Sequence, residues 1–450
     1  MDQTDAVILG SGQGGVPLAA DLARAGKRVV LFERGRLGGS CVNYGCTPSK
    51  ALLGAAHAAG RARAAAPLGI HAEIRVDFPA VMARVRSVRD SFTSGVEKRL
   101  ARAGVRVIRA SATFTGERTV AADGVSVRGT TTVINTGTSP AIPAIPGLAG
   151  TPFLTNENVF ELRELPRRVL VLGGGYVGLE LGQGLARLGS DVHIIDHNPR
   201  VLAREEADVS QVLQTSLARE GVALHLGRDV QHVAHAGGNF TLALDDGSEL
   251  QGDALLVAVG RRPNTAALNA AAAGITLDQR GMVEIDEQFH TSVPGVYAIA
   301  DVAGQPAFTH VSWEDYRRLK DILAGGDRRR DDRTLAYAVF TEPQVGRVGM
   351  TIDDARARGL NARSVDLPVS QIARAIEWGH DFGFYRLVVE VKTDRILGAT
   401  LVGYEAAELV HVILAHMEAN STWRVLERSV HIHPTYGEAL PSLARLLLKT

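Results

Sequence analysis

The apolar run Ala6-Val7-Ile8-Leu9 stops at Gly10-Ser11-Gly12-Gln13-Gly14-Gly15, gives way to helically spaced apolar residues up to Ala25, and resumes as Val29-Val30-Leu31-Phe32 before Glu33. Strand, glycine turn, helix and strand are the elements this pattern predicts, a βαβ unit. The same order returns from Arg168-Val169-Leu170-Val171-Leu172 through Gly173-Gly174-Gly175-Tyr176-Val177-Gly178 and a helix ending at Leu188 to Asp191-Val192-His193-Ile194-Ile195-Asp196. Glu33 lies 23 residues beyond Gly10, and Asp196 lies 23 beyond Gly173. Gly10, Gly12 and Gly15, and again Gly173, Gly175 and Gly178, stand where a tight turn lets a pyrophosphate approach a helix N-terminus, whose free N–H groups attract negative charge. Glu33 and Asp196 then stand where a carboxylate binds ribose hydroxyls. One such turn is a weak signal, but two with matched spacing imply two dinucleotide sites. The carboxylate at 196 repels a 2′-phosphate and favours NAD over NADP, while Arg200 lies close enough to weaken that preference.

Between the units, Val76 to Gly104 reads as one long amphipathic helix, and Thr113 to Val133 as short strands with turns at Gly116, Asp123-Gly124 and Gly129. The stiff connector Ile142-Pro143-Ala144-Ile145-Pro146-Gly147 marks a first domain boundary, and Arg261-Arg262-Pro263-Asn264 a second. The charge run Asp327 to Arg333 is expected to be a solvated linker. From Leu335 onward, strand-like runs such as Tyr385 to Val391 mix with helices at Ala406–Met417 and Trp423–Arg428, which suggests an α+β domain. The expected division is 1–148, 149–265, 266–333 and 334–450, with the first and third segments forming one nucleotide-binding domain. The fold class is α/β, two Rossmann-like domains followed by the α+β domain.

Composition narrows the classes. With 450 residues, the chain is long enough for about three domains. Its 49 Lys+Arg balance 49 Asp+Glu, so no global field favours nucleic acid or an anionic membrane, and 45% apolar residues suit a globular core. Runs of about 18 apolar residues and a basic leader are both lacking, which places the expected location in the cytoplasm. The two cysteines, Cys41 and Cys46, are too few for a disulfide scaffold.

Those two cysteines carry the sharpest signal. On one ideal helix an i, i+5 pair would have Cα atoms about 8.6 Å apart. A disulfide tolerates less than about 7 Å, so bridging them needs a distorted first turn, and a strained short-loop disulfide is easily reduced. A helix N-terminus would also lower the thiol pKa values. Two buried structural thiols, or half of a metal site with His57 the nearest further ligand, remain the alternative readings at this point.

The run Gly38-Gly39-Ser40-Cys41-Val42-Asn43-Tyr44-Gly45-Cys46-Thr47-Pro48-Ser49-Lys50 resembles the active-site signature of the class I pyridine nucleotide-disulfide oxidoreductases, the family of dihydrolipoamide dehydrogenase, glutathione reductase and mercuric reductase. The resemblance extends to His431-Ile432-His433-Pro434-Thr435-Tyr436-Gly437-Glu438 near the end. It implies FAD on the first unit, NAD(P)H on the second, and a homodimer formed through the last domain. It further implies Cys46 as the flavin-side thiol and Cys41 as the one that exchanges with substrate. Lys50, one turn beyond Cys46, pairs with Glu180 near flavin N5, and Tyr176 gates the nicotinamide pocket. By the same resemblance His433, oriented by Glu438, is the acid/base that reaches the partner's cysteines; an imidazole tethered to a carboxylate suits proton transfer near neutrality. Thr136, Gly137 and Asp301 fall in FAD-binding segments, with Ala300 where the family usually has glycine, and Gly260 falls to the NAD(P) site. No resident metal is implied.

The substrate is expected to be a small disulfide, dithiol, metal ion or oxidant. Asp196 and the His-Pro-Thr segment fit a dihydrolipoamide-dehydrogenase-like enzyme. The lack of a third cysteine argues against mercuric reductase itself and large thioredoxin reductase, and Asp196 against glutathione reductase. Phe308 to Arg317, Tyr44, Tyr176 and Val348 to Thr351 look closer to mercuric-reductase-like enzymes and the copper(II)-reducing, reactive-chlorine-resistance branch. The remaining readings are a non-turnover flavin sensor and a diaphorase that reduces quinones without the cysteines.

Overall fold

The computed structural model describes residues 1–449. The first unit contains β1 (Asp2–Leu9), α1 (Gly15–Arg24), β2 (Val29–Phe32), α2 (Gly39–Tyr44), α3 (Cys46–Arg63), α4 (Phe78–Ala103), β3 (Arg106–Ile108), β4 (Thr113–Gly116), β5 (Thr119–Ala122), β6 (Val125–Ile134) and β7 (Thr138–Pro140). The second contains β8 (Arg168–Leu172), α5 (Tyr176–Leu188), β9 (Asp191–Asp196), α6 (Ala207–Arg219), β10 (Ala223–Leu226), β11 (Val230–Ala236), β12 (Asn239–Leu244), β13 (Glu249–Gly252), β14 (Ala254–Val257) and β15 (Arg261–Pro263). A return segment follows with α7 (Ala270–Ala273), β16 (Val296–Ala298) and α8 (Thr309–Leu323). The last unit contains β17 (Ala336–Val339), β18 (Gln344–Gly349), α9 (Ile352–Ala357), β19 (Ala362–Pro368), α10 (Ala373–Trp378), β20 (Phe384–Glu390), β21 (Ile396–Gly403), α11 (Ala406–Glu418), α12 (Trp423–Arg428) and α13 (Ala439–Arg445).

Strands β3-β2-β1-β6-β5-β4 form the first sheet, and β16 joins it beside β6. The second sheet runs β10-β9-β8-β14, parallel throughout, with β11-β12-β13 as an antiparallel sheet beside it. The chain crosses between the two units twice, at one place, because β7 pairs antiparallel with β15. The proline-rich connector lies against the second unit, where the Val233 N–H donates to Pro146 O at 2.9 Å. Five antiparallel strands, β17-β18-β21-β20-β19, make the last sheet.

Burial explains why these units do not float apart. One apolar cluster joins Leu52 and Val85 of the first unit to Val171 and Leu179 of the second and to Val345 and Val402 of the last, all buried. Two arginines, Arg347 buried and Arg386 partly buried, add a polar clamp. Arg347 of β18 donates to Glu205 and Glu206, at 3.4 and 3.1 Å, and Arg386 of β20 donates to Glu206 and Asp208 at 3.0 and 2.5 Å. Arg347 and Glu205 are buried on both sides, and removing one partner of that pair would leave an uncompensated buried charge, at a cost of about 3–5 kcal/mol.

The charge run departs from the expected solvated linker. Arg333 Nη2 reaches the fully buried Asp315 at 2.5 Å, and Arg328 meets Glu314 at 2.6 Å, so the run is laced onto α8. Asp315 also accepts the Ala300 N–H at 2.9 Å, which gives the buried carboxylate a purpose in the turn before α8. Among the described residues no helix is long and apolar enough to cross a membrane.

Candidate active site

Both glycine turns are built the same way. A Cβ on Gly15 would lie 2.3 Å from Gly10 O, and one on Gly178 would lie 2.0 Å from Gly173 O, so in each turn the helix start touches the strand end and only glycine fits. Gly12 in the first turn and Gly175 in the second lie between these pairs. Glu33 accepts the Ser11 N–H at 2.9 Å and Ser11 Oγ–H at 2.6 Å, and Asp196 accepts the Gly174 N–H at 2.5 Å and the Asn198 N–H at 2.7 Å. Each carboxylate is thus fixed at the mouth of its turn. Arg200 bends back to donate to Ala203 O at 3.1 Å and Glu205 O at 3.3 Å, away from Asp196.

A cavity of about 1030 Å³ runs from Glu33 past Gly12 to Cys46, Lys50 and Glu180. Its lining fits FAD. Thr136 Oγ1 is buried there without a hydrogen-bond partner, as a group awaiting a ligand would be. A Cβ on Gly39 would stand 2.6 Å from Gly12 Cα, so the floor is made of bare backbone. Asp301 accepts the Thr138 hydroxyl at 2.7 Å, with Arg261 holding Thr138 from the other side at 2.6 Å. Ala300 adopts φ +65°, the left-handed region that costs an L-residue about 1–2 kcal/mol, which explains why glycine suits that position. Gly137 (φ +63°) bends the chain beside Thr136, and Gly260 accepts the Ala141 N–H at 2.9 Å at the crossing ribbon.

Cys41 and Cys46 lie on two helices instead of one. Gly45 (φ −135°, ψ −118°) separates α2, which carries Cys41, from α3, which Cys46 opens. Both are free thiols, and Cys46 is exposed to the cavity. Hydrogen bonding between them assigns one proton to the pair. The bond from Cys41 brings Cys46 down to about 6 against the opposing effect of burial, helped by Thr309 and by the Lys50 charge. The same bond, together with burial, pushes Cys41 up. Cys46 at the first turn of an 18-residue helix also meets the positive end of the helix dipole. Thr309 Oγ1 stands 3.1 Å from Cys46 Sγ.

Lys50 Nζ bonds Glu180 Oε2 at 2.7 Å, and the Phe340 N–H donates to Glu180 Oε1 at 2.9 Å. Tyr176 starts α5 beside Phe308, ring centroids 6.1 Å apart, and burial pushes its phenol up. Phe308 stacks in turn on Tyr337 (5.0 Å) and His310 (5.4 Å). His57 is held at 2.7 Å from Arg187 Nη1 and 3.1 Å from Glu342, away from the cysteines, so it forms no metal site with them.

His433 and Glu438 are the pair the single chain does not bring to the cavity. His433 Nδ1 meets Glu438 Oε2 at 2.8 Å, with the imidazole 72% exposed. Ile432 and Val430 beside it are 79% and 97% exposed, an apolar surface uncovered in one subunit. Sequence reasoning missed Thr309 and Phe340. Thr309 lay inside Phe308 to Arg317, a stretch read only for the branch of the family it resembles, and nothing in the local sequence joins Phe340 to Lys50.

The chain belongs to the pyridine nucleotide-disulphide oxidoreductases, whose description matches residues 4–315, while residues 335–444 match the family's dimerisation domain. It is therefore an oxidoreductase of the flavoprotein disulfide class, the family implies FAD and a pyridine nucleotide, and the dimerisation domain supports a homodimer. It is similar to the Escherichia coli protein described as probable pyridine nucleotide-disulfide oxidoreductase RclA, 33% identical over 99% of this chain and 100% of that one. Dihydrolipoyl dehydrogenase 3 of Haloarcula marismortui is 32% identical over 98% and 96%, and a mercuric reductase of Staphylococcus aureus 30% over 97% and 81%. A solved copper(II) complex of RclA, described as an HOCl-induced flavoprotein disulfide reductase, superposes with a TM-score of 0.91, 33% identity and 99% and 100% coverage.

Proposed function

We propose that this chain is an NADH-dependent, cytoplasmic reductase whose Cys41–Cys46 pair passes two electrons to a small acceptor, with copper(II) or a related oxidant ahead of lipoamide. The observation that carries the reading is the convergence of a low-pKa Cys46, the Lys50–Glu180 pair and Tyr176 on one cavity. Gly10, Gly12, Gly15, Glu33, Thr136, Gly137 and Asp301 would hold FAD, and Gly173, Gly175, Gly178, Asp196 and Gly260 the nicotinamide nucleotide. Bound FAD supplies the two-electron relay between nicotinamide and disulfide.

The protein's own part is positioning and proton handling. Tyr176 covers the nicotinamide pocket, and Lys50, fixed by Glu180, sets a positive charge where electrons arrive. Once reduced, Cys46 keeps its thiolate against the cavity while Cys41 holds the proton. Cys41 is the thiol that meets the acceptor. His433 of one subunit, oriented by Glu438, takes that proton from Cys41 in the other, which makes the thiolate that attacks. Closing the disulfide from this thiol–thiolate pair releases two electrons and one proton, the proton leaving on His433 and the electrons sufficing to reduce two copper(II) ions to copper(I).

Copper is placed ahead of lipoamide because His310 and His411 line the same cavity as the cysteines, and imidazole is a copper ligand. The RclA relative was solved as a copper(II) complex. Lipoamide is the second reading, supported by Asp196 and by full-length similarity to dihydrolipoyl dehydrogenases. A turnover panel of NADH and NADPH against lipoamide, oxidised glutathione, copper(II), mercury(II) and a quinone decides between them. Quinone reduction alone, unchanged in a Cys41→Ser/Cys46→Ser protein, would make it a diaphorase.

A further inference from the structure

Glu180, Gln183 and Arg187 stand at i, i+3 and i+7 of α5, on one stripe of the helix. All three meet the segment Phe340–Glu342, which joins β17 to β18 in the dimerisation domain. Glu180 accepts the Phe340 N–H at 2.9 Å. Gln183 pairs with the Glu342 backbone twice, accepting its N–H at 2.8 Å and donating to its carbonyl at 2.9 Å. Arg187 donates to the Glu342 carboxylate and is backed by Glu220 at 2.6 Å, and His57 of α3 closes on Glu342 at 3.1 Å. At the other end of the segment, the Phe340 ring lies 4.4 Å from Lys50 Nζ.

We propose that Phe340 is a positioning residue for the Lys50–Glu180 pair, contributed by the dimerisation domain and held in register by Gln183, Arg187 and Glu342. The inference rests on reading that pair as the nicotinamide side of the site. Each half of Phe340 fixes one partner. Its amide occupies Glu180 Oε1, leaving Oε2 for Lys50, so the carboxylate has one orientation instead of two. Its ring attracts the ammonium through the negative face of the π-system and shortens the list of rotamers open to a long, partly exposed side chain. Lys50 is also one of the charges that lower Cys46, so its position is felt on both sides of the cavity.

The test compares Phe340→Leu, which keeps the amide and deletes the ring, with Phe340→Tyr, which keeps both. In the holoenzyme, Leu should slow flavin reduction by NADH about tenfold in stopped flow with little change in the NADH concentration that half-saturates it, and Tyr should restore the rate. A second readout needs no turnover. In a Cys41→Ser background, the pH midpoint for Cys46 alkylation by iodoacetamide should move upward with Phe340→Leu and stay in place with Phe340→Tyr. A wild-type rate and an unmoved midpoint in Phe340→Leu overturn the proposal. Should that variant fail to load flavin, Gln183→Met, which releases the segment while leaving Lys50, Glu180 and Phe340 unsubstituted, should slow reduction in the same direction, and an unchanged rate there overturns it equally. If NADH reduces no flavin in the unmodified protein, the functional reading falls, and the alkylation comparison still decides the role of Phe340.

Discussion

Thr309 Oγ1 lies 3.1 Å from Cys46 Sγ, although 263 residues separate them. Thr309 is the first residue of α8, so the thiol meets a hydroxyl and a helix N-terminus together. A donor to the charged form favours that form. Thr309→Val should therefore raise Cys46 from about 6 by about one unit, read as the pH midpoint of thiolate absorbance near 240 nm in the reduced protein. An unmoved midpoint would show that the hydroxyl does not donate to sulfur.

The cysteines should separate two activities. Cys46→Ser is expected to lower NADH-dependent reduction of lipoamide or copper(II) by roughly a thousandfold, while quinone reduction survives, because quinone reduction needs no thiol. Parallel assays on both acceptors measure this. Retention of thiol-dependent turnover in the variant would remove the pair from the mechanism.

Exposure of His433 and its apolar neighbours leads to a prediction about subunits. His433→Ala and Cys41→Ser homodimers should each be inactive toward disulfides, yet mixing and reassociating them should recover about a quarter of wild-type activity, as half the dimers are mixed and each regains one complete site. Separately tagged subunits let the mixed dimer be purified and assayed. An inactive mixed dimer would place His433 with its own cysteines.

The proposed preference for NADH rests on Asp196, because Arg200 donates into its own loop, to Ala203 O and Glu205 O. Asp196→Ser should raise KM for NADH about tenfold and narrow the preference over NADPH, the lost ribose hydrogen bonds accounting for the first effect and the lost negative charge for the second. The ratio of kcat/KM for the two nucleotides is the measurement.

Glu342 makes an acid-sensitive joint. Burial alone would raise its carboxyl, but His57 and Arg187 bring it down to about 2 from an ordinary 4.5. A carboxylate whose folded value is depressed contributes stability above its unfolded pKa and loses it as pH falls toward the folded one. Glu342→Ala should then cost about 3 kcal/mol at pH 7, visible as a lower urea midpoint, and the gap from wild type should shrink between pH 4.5 and 2.

Both βαβ units were legible because their chemistry is local: a tight turn needs glycine within a few residues of a strand end, and Gly10, Gly15, Gly173 and Gly178 stand where the backbone collides with anything larger. The long helix was equally plain, predicted over Val76–Gly104 and found over Phe78–Ala103. What stayed hidden was joined by tertiary packing. No periodicity relates Phe340 to Lys50 or Thr309 to Cys46. The charge run from 327 misled because its sign pattern resembles a solvated stretch, whereas Arg333 ends on the fully buried Asp315. The cysteines lie on two helices because Gly45 breaks the chain between them, and an ideal-helix calculation has no place for that break.

The clamp of Arg347 and Arg386 on Glu205, Glu206 and Asp208 limits how the protein can breathe. Swinging the nucleotide unit away from the last sheet would break four ion pairs and strand the buried Arg347 and Glu205, which makes a hinged opening costly as a route for traffic. On the proposed reading of Tyr176 as the gate of the nicotinamide pocket, entry and exit of the nucleotide fall to something small, the side chain that opens α5. The slow step of nucleotide exchange should accordingly follow the turning of one aromatic ring, with the rest of the molecule standing still around it.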